Sequence, residues 1–588
     1  MSATNATPAN GHSPQDDLPS LAALFLIKFD LKVGYTITWK RSLPDLELDG
    51  AVEFKSLPSG LHSVKEDLVY FVHEQYVGLS AFINDPASEE ERNAHLVAVG
   101  ILVPLSNGRL GRSWLHAQKL RELAKLLVHD TTKTEPLEQY WTANSLERTD
   151  STPEAESSDT SPVVGRPPPS VLRKNKTYGR SRGLSNVTAF HPTHETLDVA
   201  HPALSIIKYI DTFGPLVFPL LRLALLRQRV LFVTPPPVRL ACEFVYDLSI
   251  LSTIPSSVTD VLPPGSDPLQ RLRSLFTIGI HDIPKLQEEA TKHEAAKLST
   301  DYLEEGSWSP GWAACTTDEV LAVKTNLYDV IVELPAQVES SEEEKRWPRI
   351  KTSAGKEIKA TQRDLRRFRI LHAELRKTQR HSVDIPQNDE EEEEEEDEED
   401  NDSAALLGSS PRSESSHGGD EVYADNLIEP STWAALAYSG FMWWASAGEK
   451  DASLSEEADR DRALLGDLSD FMTVSHGSLR SSDEAMAQTW YQGAAAPHTA
   501  IIAYFHRLTA EIFSTLGDIV DAADEEHEEQ DEVAENSVVV HGEDVSRMGL
   551  DVWSESDKEF VQEVLQMYFG RRSEVHGGSI ECCGIKIC

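Results

Sequence analysis

The first apolar part of the chain, residues 24–105, consists of short runs that predict β-strands. The runs are LFLIKFDLKVGYTITWK, GAVEFKSLP, DLVYFVHEQYVGLSAFI and HLVAVGILVPL. Aromatic and β-branched residues fill these runs, and Gly, Pro, Asp or Ser stands at their ends, which is typical of an antiparallel sheet. In the next run, residues 114–129, leucines recur at helical spacing and predict one helix that covers a face of this sheet.

A second apolar block follows a stretch without periodicity. The block predicts a helix at about Pro215–Arg227, a buried strand at Val230–Thr234 and a second helix over RLACEFVYDLSILSTIP. A further buried strand is expected around Leu275–Ile280, and more strands at 311–315, 320–323 and 327–334. This alternation of helices and strands predicts an α/β layer with a largely parallel sheet.

The remaining segments are polar, charged or helical in pattern. A charged amphipathic helix precedes an acidic tract, residues 389–402, which cannot bury apolar area and is interpreted as a solvated spacer, with a docking strip for a basic partner as the alternative. The basic face of the helix is expected to pair with this tract. The predicted organisation is 1–20 disordered, 21–130 antiparallel module, 131–186 disordered linker, 187–335 α/β module, 336–384 charged helix, 385–420 acidic and Ser-rich disordered segment, and 421–588 mostly helical C-terminal region.

Two local features of the C-terminal region carry their own expectations. Trp433, Phe441, Trp443 and Trp444 are expected to fill a core rather than form a ligand cage. Ser556 and Glu559 are expected to form a capping box at the start of the last helix.

Charge and targeting signals narrow the class of protein. The formal net charge of −42 argues against a nucleic-acid partner, because such binders carry a basic field. The first 20 residues lack the basic and apolar regions of a secretory signal, so we expect a cytoplasmic protein, with peripheral contact to endomembranes at most. In the most apolar window, residues 216–233, Arg222, Arg227 and Arg229 argue against a transmembrane helix, since one central charge costs about 3 kcal/mol.

A search for catalytic motifs predicts no covalent chemistry, no cofactor and no metal site. Residues 354–357, AGKE, place a carboxylate where a nucleotide-binding loop needs a hydroxyl residue, and they lack the earlier glycine. The five cysteines are too sparse for a disulfide framework, so reduced thiols are expected. Three of them, Cys582, Cys583 and Cys588, are candidates for acylation at the C-terminus, with unmodified thiols as the default.

Two blocks of the chain resemble a known family. The first block is VGYTITWKRSLPDLELDGAVEFKSLPSGLHSVKEDLVYFVHEQYVGLSAFINDPASEEERNAHLVAVGILVPL, and the second is FGPLVFPLLRLALLRQRVLFVTPPPVRLACEFVYDLSILSTIP. Over roughly Leu21 to Pro335 the chain resembles the DENN-domain family, most closely its LCHN-like and Avl-type branch, which includes fungal proteins with a C-terminal domain of unknown function.

The resemblance implies a fold and a function. It implies a longin-like α+β module followed by a doubly wound α/β module, and guanine nucleotide exchange on a Rab-type small GTPase in vesicle trafficking. Such a protein acts by binding the nucleotide-free GTPase, and none of its residues does acid–base or nucleophilic work. The alternative is a non-exchanging scaffold or tether that binds GTPases or coat proteins. The resemblance transfers no individual contact residue.

Overall fold

The structure is a computed structural model of the 588-residue chain. It describes residues 18–30, 32–85, 95–146, 197, 200–264, 266–298, 311–336, 346–383, 427–445, 447–476, 497–530, 537–578, 581–582 and 585–586. The strands are β1 (Ala23–Asp30), β2 (Gly34–Ser42), β3 (Glu66–His73), β4 (Tyr76–Asp85), β5 (His95–Pro104), β6 (Val230–Val233), β7 (Arg273–Thr277), β8 (Trp312–Thr316), β9 (Val330–Glu333), β10 (Arg349–Thr352), β11 (Glu357–Ile358), β12 (Ser537–Val540), β13 (Arg572–Val575), β14 (Glu581–Cys582) and β15 (Ile585–Lys586).

The α-helices lie between and after these strands. They are α1 (Val52–Ser56), α2 (Ala117–Leu127), α3 (Glu135–Asn144), α4 (Ile206–Phe213), α5 (Val217–Leu225), α6 (Arg239–Leu251), α7 (Ile283–Leu298), α8 (Glu319–Ala322), α9 (Gln362–Val383), α10 (Trp433–Ala445), α11 (Ala447–His476), α12 (Pro497–Gln530), α13 (Gly542–Arg547) and α14 (Glu555–Phe569).

The N-terminal half of the main sheet is antiparallel, as the apolar runs predict. Its strands lie in the order β3-β4-β5-β1-β2, and each neighbouring pair is antiparallel. Helix α2 covers β4 and β5 with Leu120, Leu123 and Leu127, which are fully or almost fully buried. The helix predicted over residues 114–129 is therefore confirmed.

The second half of the sheet is parallel in its centre. Strands β7, β8, β6 and β9 are parallel neighbours, and β10 and β11 continue the sheet in antiparallel fashion beyond β9. Helix α6 packs on one face of these strands. On the other face, Leu286 of α7 and Leu321 of α8 form a small core with Leu231 and Trp312. The parallel α/β layer expected from the sequence is present.

One bridge joins the two halves into a single mixed sheet of eleven strands. Phe71 of β3 pairs with Phe276 of β7. Phe276 has a φ of 58°, a backbone region that bulky residues rarely adopt, and the β7–β8 register shifts between Ser274 and Phe276. The seam between the halves therefore lies at a β-bulge, which re-aims the strand locally.

The ring of Phe71 lies across Gly78 of β4. A Cβ atom at Gly78 would lie only 2.1 Å from Cζ of Phe71. Glycine at position 78 thus makes room for the aromatic side chain at the seam, as glycines in strands do where another group approaches closely.

The C-terminal helices pack on the parallel half and share its core. Phe505 and Phe513 of α12 are fully buried in that core. The Tyr568 hydroxyl of α14 donates to the carbonyl of Leu225 at 2.6 Å, and Nε2 of His506 lies 2.9 Å from the Ile250 carbonyl oxygen. The region from α9 onward therefore extends the same folded body.

Two clusters of ion pairs hold these helices. Arg222 of α5 contacts both Asp364 of α9, at 2.7 Å, and Asp557 of α14, at 3.1 Å. Arg363 of α9 donates twice to Asp461 of α11, at 2.6 and 2.8 Å. The basic face of α9 was expected to pair with the acidic tract at 389–402; within the described residues its partner is α11, and the tract lies outside them.

Several local predictions were wrong. The run GAVEFKSLP forms helix α1, because Val52 and Ser56, four residues apart, are both buried and the Glu53 carboxylate accepts from Gly50 N–H at 2.8 Å. The strand predicted at 320–323 is mostly helix α8. Residues 135–144, placed in the predicted linker, form helix α3, since Leu137 and Trp141 are buried. Strands β10 and β11 interrupt the segment predicted as one charged helix.

Two C-terminal expectations were also wrong. Ser554 caps α14, with its hydroxyl accepting from Asp557 N–H, while Ser556 hydrogen-bonds to Glu429. Trp433 is 87% exposed and does not fill a core. The side chains of Phe441, Trp443 and Trp444 lie outside the described residues.

One stretch of the described chain, Pro202–Leu225, is long and apolar enough to cross a membrane by length and composition. About two thirds of its most apolar window, 67%, is buried inside the protein. Gly214, with a φ of 55°, separates α4 from α5 within this stretch. Burial in the core accounts for its apolar character.

Candidate functional site

A carboxylate from the antiparallel half connects the two halves of the sheet at the seam. Asp67 of β3 accepts hydrogen bonds from the backbone N–H groups of Val238, at 2.6 Å, and Arg239, at 3.2 Å. These groups start helix α6 of the parallel half, and the free N–H groups of a helix start are favourable partners for a negative charge. Asp67 therefore caps a helix of the other half.

Burial strongly affects the charge of this carboxylate. Burial raises the pKa of Asp67 to about 6, and the hydrogen bonds from Val238, Leu68 and Arg239 only partly oppose that rise. The charged form is thus held at the seam at neutral pH against a desolvation penalty.

The proline loop after β6 also contacts the antiparallel half. A Cβ atom at Gly60 would lie 3.3 Å from Cγ of Pro236. Beside this loop lies a pocket of about 430 Å³ at the carboxyl ends of β6 and β9. It is lined by Lys208, Asp211, Thr212, Thr234, Pro235, Pro236, Pro237, Leu240, Ala241, Phe244, Leu334, Pro335, Ala336 and Arg346.

At the other side of the seam, α1 lies against the turn that follows β7. The rings of Phe54 and His281 stack with their centroids 3.9 Å apart. Next to them, Nζ of Lys55 lies 2.8 Å from the Asp282 carboxylate and donates to the Val72 carbonyl at 2.8 Å. The two halves are therefore in direct contact at this turn.

The same turn lies beside α8. The Asp282 carboxylate accepts from Gly279 N–H at 3.1 Å and closes the turn. A Cβ atom at Gly279 would lie 3.4 Å from the carboxylate of Asp318, the residue that precedes α8. Buried Leu321 anchors α8 to the small core. Helix α1, the turn after β7 and helix α8 thus follow one another across the seam.

Their outward side chains form a surface that we call the junction strip: Phe54, Ile280, His281, Val320 and Val323. All five are exposed, and Val323 is 77% exposed. Exposed apolar side chains scattered singly need no explanation, but a group on adjacent elements marks an interaction surface. The strip is such a group, and it includes residues from both sides of the seam.

Sequence reasoning named none of these residues. Phe54 was missed because its run was read as a strand. The available signal was the Asp-Gly pair before it and the Leu-Pro pair after it, which bound a run of only six residues, 51–56, between turns.

The predicted C-terminal cysteine site is largely outside the described residues. Cys582 lies in β14, and its side chain is not among those described; Cys583 and Cys588 lie beyond them. Acylation of these residues stays a prediction.

Two other cysteines meet in the core of the parallel half. The Sγ atoms of Cys242 and Cys315 are 3.5 Å apart, and Oγ1 of Thr277 lies 3.2 Å from Cys242 Sγ. Burial raises the pKa of the Cys315 thiol well above its ordinary value. These thiols are packing groups, since a reactive cysteine needs thiolate character and access. Among the described residues, no group of three or more His, Cys, Asp and Glu side chains could hold a metal ion.

Comparison with known families follows the division of the fold. Residues 24–344 match the family model described as DENN domain-containing protein 11, which covers more than half of the chain, including the antiparallel half of the main sheet and the parallel strands β6 to β9. The chain belongs to the DENN-domain family. Residues 428–588 of this DENN-domain protein match a second model, Domain of unknown function (DUF4484), which begins just before α10.

Individual relatives agree with this assignment. DENN domain-containing protein 11 of Xenopus laevis is 29% identical over 330 residues, covering 54% of this chain and 61% of the relative. The protein of the same name from Danio rerio is 28% identical over 320 residues, covering 54% of each. The match therefore spans less than two thirds of these relatives. Uncharacterized protein ANR2 of Saccharomyces cerevisiae is 20% identical over 590 residues, covering 96% of this chain and 94% of that protein.

Proposed function

We propose that this DENN-domain protein is a guanine nucleotide exchange factor for a Rab-type small GTPase in vesicle trafficking. Exchange on Rab GTPases is the general activity of the family, which supports the class of partner. The observation that carries the proposal is the junction strip, an exposed apolar surface built from both halves of the sheet. The antiparallel half with α2 would serve as the longin-like module of the pair.

The chemistry of the strip suits a protein partner. Ile280, Val320 and Val323 offer apolar area, and the stacked rings of Phe54 and His281 add aromatic surface. Aromatic side chains supply much of the binding energy in protein interfaces, and water exclusion around them adds to it. The supporting turn and α8 are fixed by Asp282 and by Leu321, so little order has to be gained on binding.

The proposed mechanism is differential binding. A surface that binds the nucleotide-free GTPase more tightly than the loaded form shifts the population toward release, without a covalent step. Nucleotide held at picomolar affinity corresponds to about 16 kcal/mol, so the contact must transiently offset a large fraction of that free energy. A surface that continues beyond the strip onto both halves of the sheet is required.

Release of a fluorescent guanine nucleotide from a panel of purified Rab GTPases tests this proposal with the full chain. Accelerated release from one GTPase, together with tighter binding of its nucleotide-free form, supports exchange and identifies the partner. Binding that is indifferent to nucleotide, with unchanged release, contradicts exchange and favours the scaffold or tether.

A further inference from the structure

Helix α10 is unusually apolar for a helix at the protein surface. Its 13 residues, WAALAYSGFMWWA, include three Trp, one Tyr and one Phe and contain no charged residue. Thr432 starts it, with its hydroxyl accepting from Ala435 N–H at 3.2 Å. The helix therefore begins at a defined cap and carries no charged side chain along its length.

The first two turns show which way α10 faces. Ala434, Ala435 and Tyr438 are partly buried, and the Tyr438 ring lies 5.2 Å from that of Trp553. On the outer side Trp433 is 87% exposed and Leu436 is 51% exposed. Ala437 and Gly440 continue this outer side and are also exposed. One face thus rests on the protein, and an apolar face with a protruding indole points into solvent.

We propose that the outer face of α10 inserts into the surface of a neutral phospholipid bilayer. A helix of 13 residues is about 20 Å long, too short to span a hydrocarbon core of about 30 Å. Lying in the interface plane, it would bury Trp433 and Leu436 at the boundary of headgroups and acyl chains. Tryptophan favours this depth because its ring is apolar and its N–H can still be hydrated.

The net charge of the chain indicates which partner the outer face of α10 binds: a neutral bilayer, an anionic bilayer or a second copy of the chain. At a net charge of −42, both an anionic bilayer and another copy of the chain are repelled at long range. A zwitterionic surface carries no such penalty. A helix without cations has nothing to attract anionic lipid, so apolar insertion has to supply the affinity.

Flotation of the full chain with vesicles tests the inference. Vesicles of pure phosphatidylcholine are compared with vesicles containing phosphatidylserine, for the natural chain and for Trp433→Ser combined with Leu436→Ser. We expect binding to the neutral vesicles and a loss of about tenfold or more in the double variant, because two inserting side chains are removed. Trp433→Phe should keep most of the binding.

Val33→Ser is the matched control, since Val33 is 75% exposed on the loop between β1 and β2, far along the chain from α10. Unchanged circular dichroism and thermal unfolding show that the variants are folded. The inference is overturned by no binding to neutral vesicles, by binding that the double variant leaves intact, or by equal loss in the control. It is also overturned if light scattering shows a dimer that the double variant dissociates. These readouts do not depend on nucleotide exchange.

Discussion

The Asp67 carboxylate on β3 accepts a hydrogen bond at 2.6 Å from the backbone N–H of Val238, which lies 171 residues further along the chain. This bond caps α6 and crosses the seam between the antiparallel and the parallel half. It adds a buried polar contact to the single bridge of Phe71 and Phe276. Asp67 is thus placed to couple the folding of the two halves.

Replacing Asp67 by alanine should destabilise the whole DENN domain. The variant leaves the N–H groups of Val238 and Arg239 without their acceptor, and loss of a helix cap with buried donors costs about 2 kcal/mol. Chemical denaturation of the full chain measures the change. Exposed Asp45 in the same half provides the control, since Asp45→Ala should change the free energy of unfolding by about 0.5 kcal/mol or less.

The raised pKa of Asp67 predicts a specific pH dependence. Burial raises the folded-state pKa of Asp67 to about 6, above its ordinary value, so the folded state binds this proton more tightly. The stability that protonation of Asp67 contributes is therefore fully present below the unfolded-state pKa, and it is lost as pH rises through about 6. When pH rises from 5.5 to 7.5, the free energy of unfolding of the natural chain should fall by about 1 kcal/mol relative to that of Asp67→Asn. If the difference in the free energy of unfolding between the natural chain and Asp67→Asn stayed constant between pH 5.5 and 7.5, the raised pKa of Asp67 would be contradicted.

Gly78→Ala should disturb the seam by overpacking. The new methyl group would lie 2.1 Å from Cζ of Phe71, which is itself fully buried. Such overpacking costs about 1–3 kcal/mol, and part of that cost should disappear when Phe71→Leu is added. Gly466→Ala in α11 is the control, because its Cβ would meet nothing within 4 Å and alanine favours a helix. The thermal unfolding temperature is measured for the natural chain, for Gly78→Ala, for Gly78→Ala combined with Phe71→Leu, and for Gly466→Ala. Equal destabilisation by Gly78→Ala and Gly466→Ala would contradict the steric explanation.

The sequence predicts the fold correctly where the apolar periodicity extends over many residues. The runs of β3, β4 and β5 and the helix α2 show clear periodicity, so the antiparallel half follows from local pattern alone. Helices α1 and α8 could not be predicted from local pattern, because each has only about one turn. In such short elements burial of one or two side chains, here Val52 and Leu321, outweighs local preference.

Arg222→Met tests the attachment of the C-terminal helices. Burial opposes the charge of Arg222, but Asp364 and Asp557 raise its pKa above the ordinary value. The same cation lowers the pKa of Asp364, whereas burial and the charge of Asp364 raise that of Asp557 to about 7. Removing the cation leaves two buried carboxylates and should cost about 3–5 kcal/mol at neutral pH.

The loss should be smaller at pH 5.5 than at pH 7.5. Without Arg222 the folded-state pKa of both carboxylates rises, so stability is retained at low pH and lost as pH increases. Denaturation at the two pH values and limited proteolysis of α9 and α14 measure the effect. Lys292→Ala, in an exposed pair with Glu288, should be nearly neutral. A loss independent of pH would show that packing of the Arg222 stem, not its charge, holds these helices.

The junction strip could not be found from the sequence, because its residues come from three distant segments. The elements that carry Phe54, Ile280 and Val323 come together only when β3 pairs with β7, and no sequence spacing connects them. Trp433 was misplaced for a related reason. An aromatic helix has the same composition whether it fills a core or faces outward, and only the neighbouring elements decide which.

Ile280→Asp should reduce nucleotide exchange while leaving the fold intact. Ile280 is 47% exposed and precedes His281 in the strip, so the change places a charge where a partner's apolar surface would exclude water. Burying an unpaired charge at an interface should lower the exchange rate by about tenfold or more. Val539→Asp is the matched control, because Val539 is 45% exposed on β12 of the C-terminal region, outside the strip. The measurement is the nucleotide-release rate from the responsive GTPase at several concentrations of each folded variant. Equal rates for Ile280→Asp and the natural chain would place the GTPase contact elsewhere on the DENN domain, whereas a selective loss at Ile280 would place it at the seam.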